Sequence, residues 1–111
     1  MTLELVGKSL SIIFDDADVD NAVKWTANAI TANSGQACFT ASRVFVQGGI
    51  YEKFIEEYKQ AMKEKAKVIG EPDAESTQLG PLVDEAQLSY FCGPQLQDRK
   101  LWPFQTILIL D

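Results

Sequence analysis

Short apolar runs and longer stretches of helical period alternate along this chain. Residues Thr2 to Val6 alternate weakly and predict a short strand. Leu10 to Phe14 is apolar and partly β-branched, the composition of a buried strand. Asp15, Asp16, Asp18 and Asp20 then crowd in front of an apolar-periodic segment. Carboxylates there complement the free N–H groups and the dipole of a helix N-terminus, which predicts a helix from about Val19 to Ala32. Its inward face is Val19, Ala22, Val23, Thr26, Ala27 and Ile30. Most of these are small, so a neighbouring element can pack closely.

Asn33-Ser34-Gly35 breaks that helix, and Gln36-Ala37-Cys38 follows in a loop or short turn. Ser42 to Gln47 reads as a second strand, ended by Gly48-Gly49. A second helix is predicted from about Tyr51 to Val68, with Ile50, Phe54, Ile55, Tyr58, Met62, Ala66 and Ile69 at helical spacing. Lys53 and Glu57 pair four residues apart on its polar side. Gly70 suits the C′ position, and Pro72 prevents continuation. Residues 71–83 read as a loop, with a short third helix starting at Asp84 or Glu85. The order strand, helix, strand, helix predicts an α/β unit with a mostly parallel sheet. The tail from Gly93 fits this order poorly, although Thr106 to Leu110 has the composition of a final strand.

Composition narrows the chemistry. The chain has 111 residues, room for one small domain, and 46% hydrophobic residues, ordinary for a globular protein. The net charge of -6 opposes binding to nucleic acid or to an anionic membrane surface. No run approaches the length of a membrane-spanning helix, and the first residues lack the basic and apolar regions of a secretory leader. Two cysteines without such a leader fit a reducing compartment, so a cytoplasmic location is expected. There is no histidine, which removes Ser-His-Asp and Cys-His sites and histidine-ligated metal.

The remaining candidates are few. Asp16, Asp18 and Asp20 have the spacing of a calcium-loop start. Asn21 stands where that loop needs glycine and Ala27 where it needs glutamate, so the cluster reads as a helix start, and no metal site is expected. Gly48-Gly49 lies between strand and helix without a G-x-G-x-x-G pattern, and reads as a tight turn. Cys92, in Tyr90-Phe91-Cys92, reads as a buried structural thiol. Cys38 has two readings. Its small apolar side chain suits a core position, whereas the Gly35-Gln36 junction before it would let the thiol and its amide face a cleft. Without histidine, only a carboxylate acting through water is at hand to deprotonate such a thiol.

Two motifs carry a family resemblance. Leu3-Glu4-Leu5-Val6-Gly7-Lys8-Ser9 resembles the L-E-L-G-G-K-S-P signature of the NAD(P)-dependent aldehyde dehydrogenases. Gly35-Gln36-Ala37-Cys38 resembles their G-Q-x-C nucleophile motif. Glu4 and Cys38 lie 34 residues apart, the family's usual separation. Flanking segments 12–18, 20–22, 42–47 and 80–84 also read like family sequence, so the resemblance covers about residues 2–91. Val6 departs from the motif's glycine and Leu10 from its proline. The later E-x-F-G-P segment is absent.

The resemblance implies an α/β fold that is part of an aldehyde dehydrogenase catalytic domain, with residues 1–91 belonging to it and 92–111 a divergent tail. It implies oxidation of a small aldehyde to a carboxylic acid through a cysteine thiohemiacetal and thioester. Cys38 would be the nucleophile, Glu4 the general base, the Cys38 N–H an oxyanion donor, and Leu5 a weak contact to the cofactor, NAD or NADP. The family's second oxyanion donor, an upstream asparagine, and its nucleotide-binding domain are expected to lie outside this chain. The chain is then a fragment that forms homo-oligomers or joins full-length subunits. Two other outcomes stay open: a non-catalytic remnant, or a thiol esterase that needs no cofactor.

Overall fold

The computed structural model describes residues 2, 7, 9–92 and 106–110. In order, the elements are β1 (Ser9–Ile13), α1 (Val19–Thr31), a 3-10 turn (Ala32–Gly35), β2 (Ala41–Gln47), a second 3-10 turn (Gly48–Ile50), α2 (Tyr51–Ala66), α3 (Glu85–Cys92) and β3 (Thr106–Leu110). The three strands form one sheet in the order β1-β2-β3, and both pairings are parallel. This is the expected mixed α/β unit with a small parallel sheet, and the end of the tail supplies its third strand. The strand expected over Thr2 to Val6 lies outside the described residues, apart from Thr2.

Helix α1 starts where the acidic cluster places it. Asp18 is the N-cap and accepts a hydrogen bond from the Asn21 N–H at 3.1 Å. Val19, Val23, Thr26, Ala27 and Ile30 are buried as the periodicity predicts, and Ala22 is half-buried. Both helices lie on one face of the sheet, because the central strand turns Val44 and Val46 toward them and buries both completely. Phe54 of α2 fills the space between, fully buried, with its ring stacked 5.7 Å from that of Tyr58. Ala27 of α1 is nearly fully buried in the same core.

Helix α2 stops at Ala66, two residues before the predicted end. The backbone beyond it finds other partners: the Val68 carbonyl accepts from Gln78 and Leu79, the Gly70 N–H donates to Leu79, and Ile69 forms a parallel bridge with Leu79. Ile69 is thereby drawn off the helix's apolar face and exposed. Gly70 is not a left-handed C′ residue; a Cβ there would meet Thr77 Oγ1 at 2.6 Å, so a larger residue would require the Thr77 hydroxyl to turn away. Helix α3 starts as expected, with the Asp84 carboxylate accepting from the Gln87 N–H at 2.7 Å. Lys53 and Glu57 pair at 3.6 Å on the surface of α2. No helix among the described residues is long and apolar enough to cross a membrane.

The opposite face of the sheet is apolar and largely uncovered. Register aligns Ile12 with Phe45 and Phe45 with Leu108 across all three strands. Ile12 is 49% exposed, Leu108 43% and the neighbouring Leu10 55%. Such a patch favours association. Expressed by itself, the chain is expected to sediment as oligomers. Ile12→Lys combined with Leu108→Lys should shift it toward monomer. On the covered face, Phe54→Ala should cost about 3–5 kcal/mol in chemical denaturation, because it empties the best-packed site in the core.

Candidate active site around Cys38

The end of α1 delivers the chain into an unusual turn. Thr31 Oγ1 bonds back to the Ala27 carbonyl at 2.7 Å, and Ala32 leaves the helix. Asn33, Ser34 and Gly35 then take φ values of 49°, 55° and 78°, the only positive φ angles among the described residues. Glycine adopts this conformation freely and asparagine tolerates it. Serine does so at a cost of about 1–2 kcal/mol, from the clash of Cβ with the following carbonyl.

Hydrogen bonds close the turn and tie it outward. The Gln36 N–H donates to the Asn33 carbonyl at 3.0 Å, and Asn33 Nδ2 donates to the Gln36 carbonyl at 3.3 Å. Ser34 Oγ donates to the Gly80 carbonyl at 2.8 Å, and Gln36 Oε1 accepts from the Val83 N–H at 3.0 Å. The chain next turns over residues 37–40, where the Thr40 N–H and Oγ1 both bond to the Ala37 carbonyl, at 3.2 and 3.0 Å. Cys38 projects from this turn as a free, exposed thiol. The reading of Cys38 as a core residue is therefore overturned. The core positions nearby are Thr40 and Ala41, where β2 begins.

The first motif lies against the main chain of Cys38. A Cβ on Gly7 would sit 3.0 Å from Cys38 Cα and 3.1 Å from its carbonyl oxygen. Ser9 Oγ donates to that same carbonyl at 3.2 Å. Two motifs far apart in sequence thus meet at the N-terminal ends of β1 and β2. Glu4 and Leu5 fall outside the described residues, as does the side chain of Cys92. Gly48-Gly49 sits at the other end of the sheet, far along β2 from Cys38, and forms the tight turn expected of it.

Among the described residues no group of three or more histidine, cysteine, aspartate or glutamate side chains could hold a metal ion. Sequence reasoning missed the structural roles of Ser9, Ser34 and Gln36. Ser9 and Gln36 sat within the recognised motifs, but their partners, the Cys38 carbonyl and the Val83 N–H, are set by tertiary contact alone.

Residues 1–95 match the aldehyde dehydrogenase family, and the chain belongs to that family. It is 40% identical to aldehyde dehydrogenase [NAD(P)+] 2 of Saccharomyces cerevisiae, in a match covering 96% of this chain and 22% of the yeast protein. It is 48% identical to an aldehyde dehydrogenase of Emericella nidulans, over 78% of this chain and 17% of that protein. Among solved structures, lactaldehyde dehydrogenase from Escherichia coli superposes with a TM-score of 0.72 at 40% identity, covering 79% of this chain and 18% of that one. The chain thus spans about a fifth of the length of the curated relatives it matches.

The Gly7 contact generates a paired test. Gly7→Ala forces its methyl against the Cys38 backbone, and should destabilise the chain by about 1–3 kcal/mol in urea. Gly80→Ala, whose methyl would have nothing within 4 Å, should be neutral or slightly stabilising.

Proposed function

We propose that this chain carries the covalent half of an aldehyde oxidation, with Cys38 as the nucleophile. The observation that supports it is the meeting of the two motifs: Gly7 and Ser9 against the backbone of a free, exposed cysteine. In this reading the Cys38 thiolate attacks the carbonyl carbon of a small aldehyde. A C–S bond forms, the carbonyl π electrons move to oxygen, and the Cys38 N–H donates to that oxyanion. After oxidation the thioester is attacked by water. Glu4 takes the water's proton, the C–S bond breaks, and the carboxylic acid leaves with the thiolate restored. Glu4 is favoured as the base because Gly7 and Ser9 follow it in the same motif. Residues 1–91 hold these groups.

The family's oxidation uses NAD or NADP as hydride acceptor. The described residues do not fit such a dinucleotide. The one glycine pair between strand and helix, Gly48-Gly49, lacks the pattern that cradles a pyrophosphate. The Asp15 carboxylate also stands 3.9 Å from where a Gly49 Cβ would be, which opposes a phosphate there. The dinucleotide site then belongs to residues outside those described, and the whole enzyme is an oligomer of longer subunits. The free, exposed thiol suits a reducing, cytoplasmic setting.

An acyl group can also reach Cys38 from an activated ester without any dinucleotide, which makes thiol-ester turnover the second reading. One experiment separates the outcomes. With p-nitrophenyl acetate the chain should release a burst of p-nitrophenol that disappears in Cys38→Ser. With an aldehyde and NAD or NADP the chain alone should form no reduced dinucleotide. Absence of the burst would overturn Cys38 as nucleophile. Reduced dinucleotide lost in Cys38→Ser would overturn the assignment of the cofactor site elsewhere.

A further inference from the structure

Cys38 is reached from α1 through a turn that ordinary residues avoid, and two ties hold that turn from outside. Ser34 Oγ donates to the Gly80 carbonyl at 2.8 Å. The Gln36 amide spans the gap: its Oε1 accepts from the Val83 N–H at 3.0 Å, and its Nε2 donates to the Asn33 carbonyl at 3.2 Å. The partners lie 46 and 47 residues downstream, so local chain geometry does not create these ties. A left-handed pair of non-glycine residues persists only where its surroundings fix it. Segment 80–83 is that fixture on this side of the molecule.

Resting on the reading of Cys38 as the nucleophile, we infer that Gln36 and Ser34 are positioning residues. They lock the 33–38 turn against segment 80–83 and so set the direction in which Cys38 presents its sulfur to a carbonyl carbon. Attack on a carbonyl depends on alignment as well as access. Alkylation by a small reagent from solvent depends mainly on access.

The test uses the full 111-residue chain with Gln36→Ala, Ser34→Ala and Gln36→Glu. Three quantities are measured: amide hydrogen exchange over peptides covering 33–39 and 80–84, Cys38 acylation by p-nitrophenyl acetate, and Cys38 alkylation by iodoacetamide, located by peptide mass. Gln36→Ala and Ser34→Ala should each speed exchange in both segments by about fivefold or more, with β2 unchanged. Each should slow acylation by about tenfold or more and leave alkylation within about twofold. Gln36→Glu keeps an acceptor for Val83 but sets a carboxylate oxygen against the Asn33 carbonyl, so its acylation rate should fall between those of Gln36→Ala and the parent chain. Faster exchange confined to 80–84, or acylation and alkylation falling in parallel, would overturn the inference. If the parent chain is not acylated, the nucleophile reading fails, and the exchange measurement alone decides whether the ties hold the turn.

Discussion

Parallel pairing of β1 with β2 is the constraint on which the rest of the molecule depends. Parallel neighbours cannot be joined by a tight hairpin, so the chain must cross back over the sheet, and α1 is that crossover. The return places the start of β2 beside the start of β1, with Ser9 opposite Ala41. Whatever precedes the two strands is then brought together: Gly7 two residues before one, Cys38 three residues before the other. Their separation in sequence is the length of one strand, one helix and one turn. The close approach of Gly7 to the Cys38 backbone follows from this pairing, and a Cβ at position 7 would be tightly crowded against it.

The location has a chemical consequence. Open α/β sheets usually bind ligands beyond the carboxyl ends of their strands, where a helix N-terminus and a glycine-rich turn meet. Here the corresponding turn, Gly48-Gly49, packs near the Leu110 carbonyl and the Asp15 side chain. The strained backbone and the exposed thiol lie at the opposite end. The left-handed backbone at Asn33 and Ser34 is held by the hydrogen bonds that Ser34 and Gln36 make with segment 80–83.

Elements with a strong period and a local signal were readable in the sequence. Helix α1 was bounded by Asp18 and by Asn33-Ser34-Gly35, and its buried face was readable because each cue acts within a few residues. The end of α2 was misread for the opposite reason. Ile69 continued the apolar period, but the Val68 and Gly70 backbone groups pair with residues 78 and 79, a competition invisible to periodicity. Cys38 shows the same limit. A small thiol beside a buried strand looks like core, and only the turn over 37–40 lifts it into solvent. The motif resemblance supplied a different kind of knowledge, naming residues that belong together without the contacts that join them.

The two faces of the sheet bear on how this unit functions. On the covered face, helices α1 and α2 bury Val44 and Val46 of β2, and the Cys38 turn is tied to segment 80–83 of the same chain. On the other face, Leu10, Ile12 and Leu108 remain in water on a protein whose relatives are about five times longer. Its apolar row runs along the same strands whose starting ends carry Gly7, Ser9 and the Cys38 turn. Polypeptide packed on that face would therefore lie next to the thiol without having to rebuild it. Such an arrangement separates two requirements of the proposed reaction. The covalent step needs a fixed sulfur and an oxyanion donor, the roles proposed for Cys38 and its N–H. The hydride step needs a dinucleotide held beside the same carbon, and the described residues form no cradle for one.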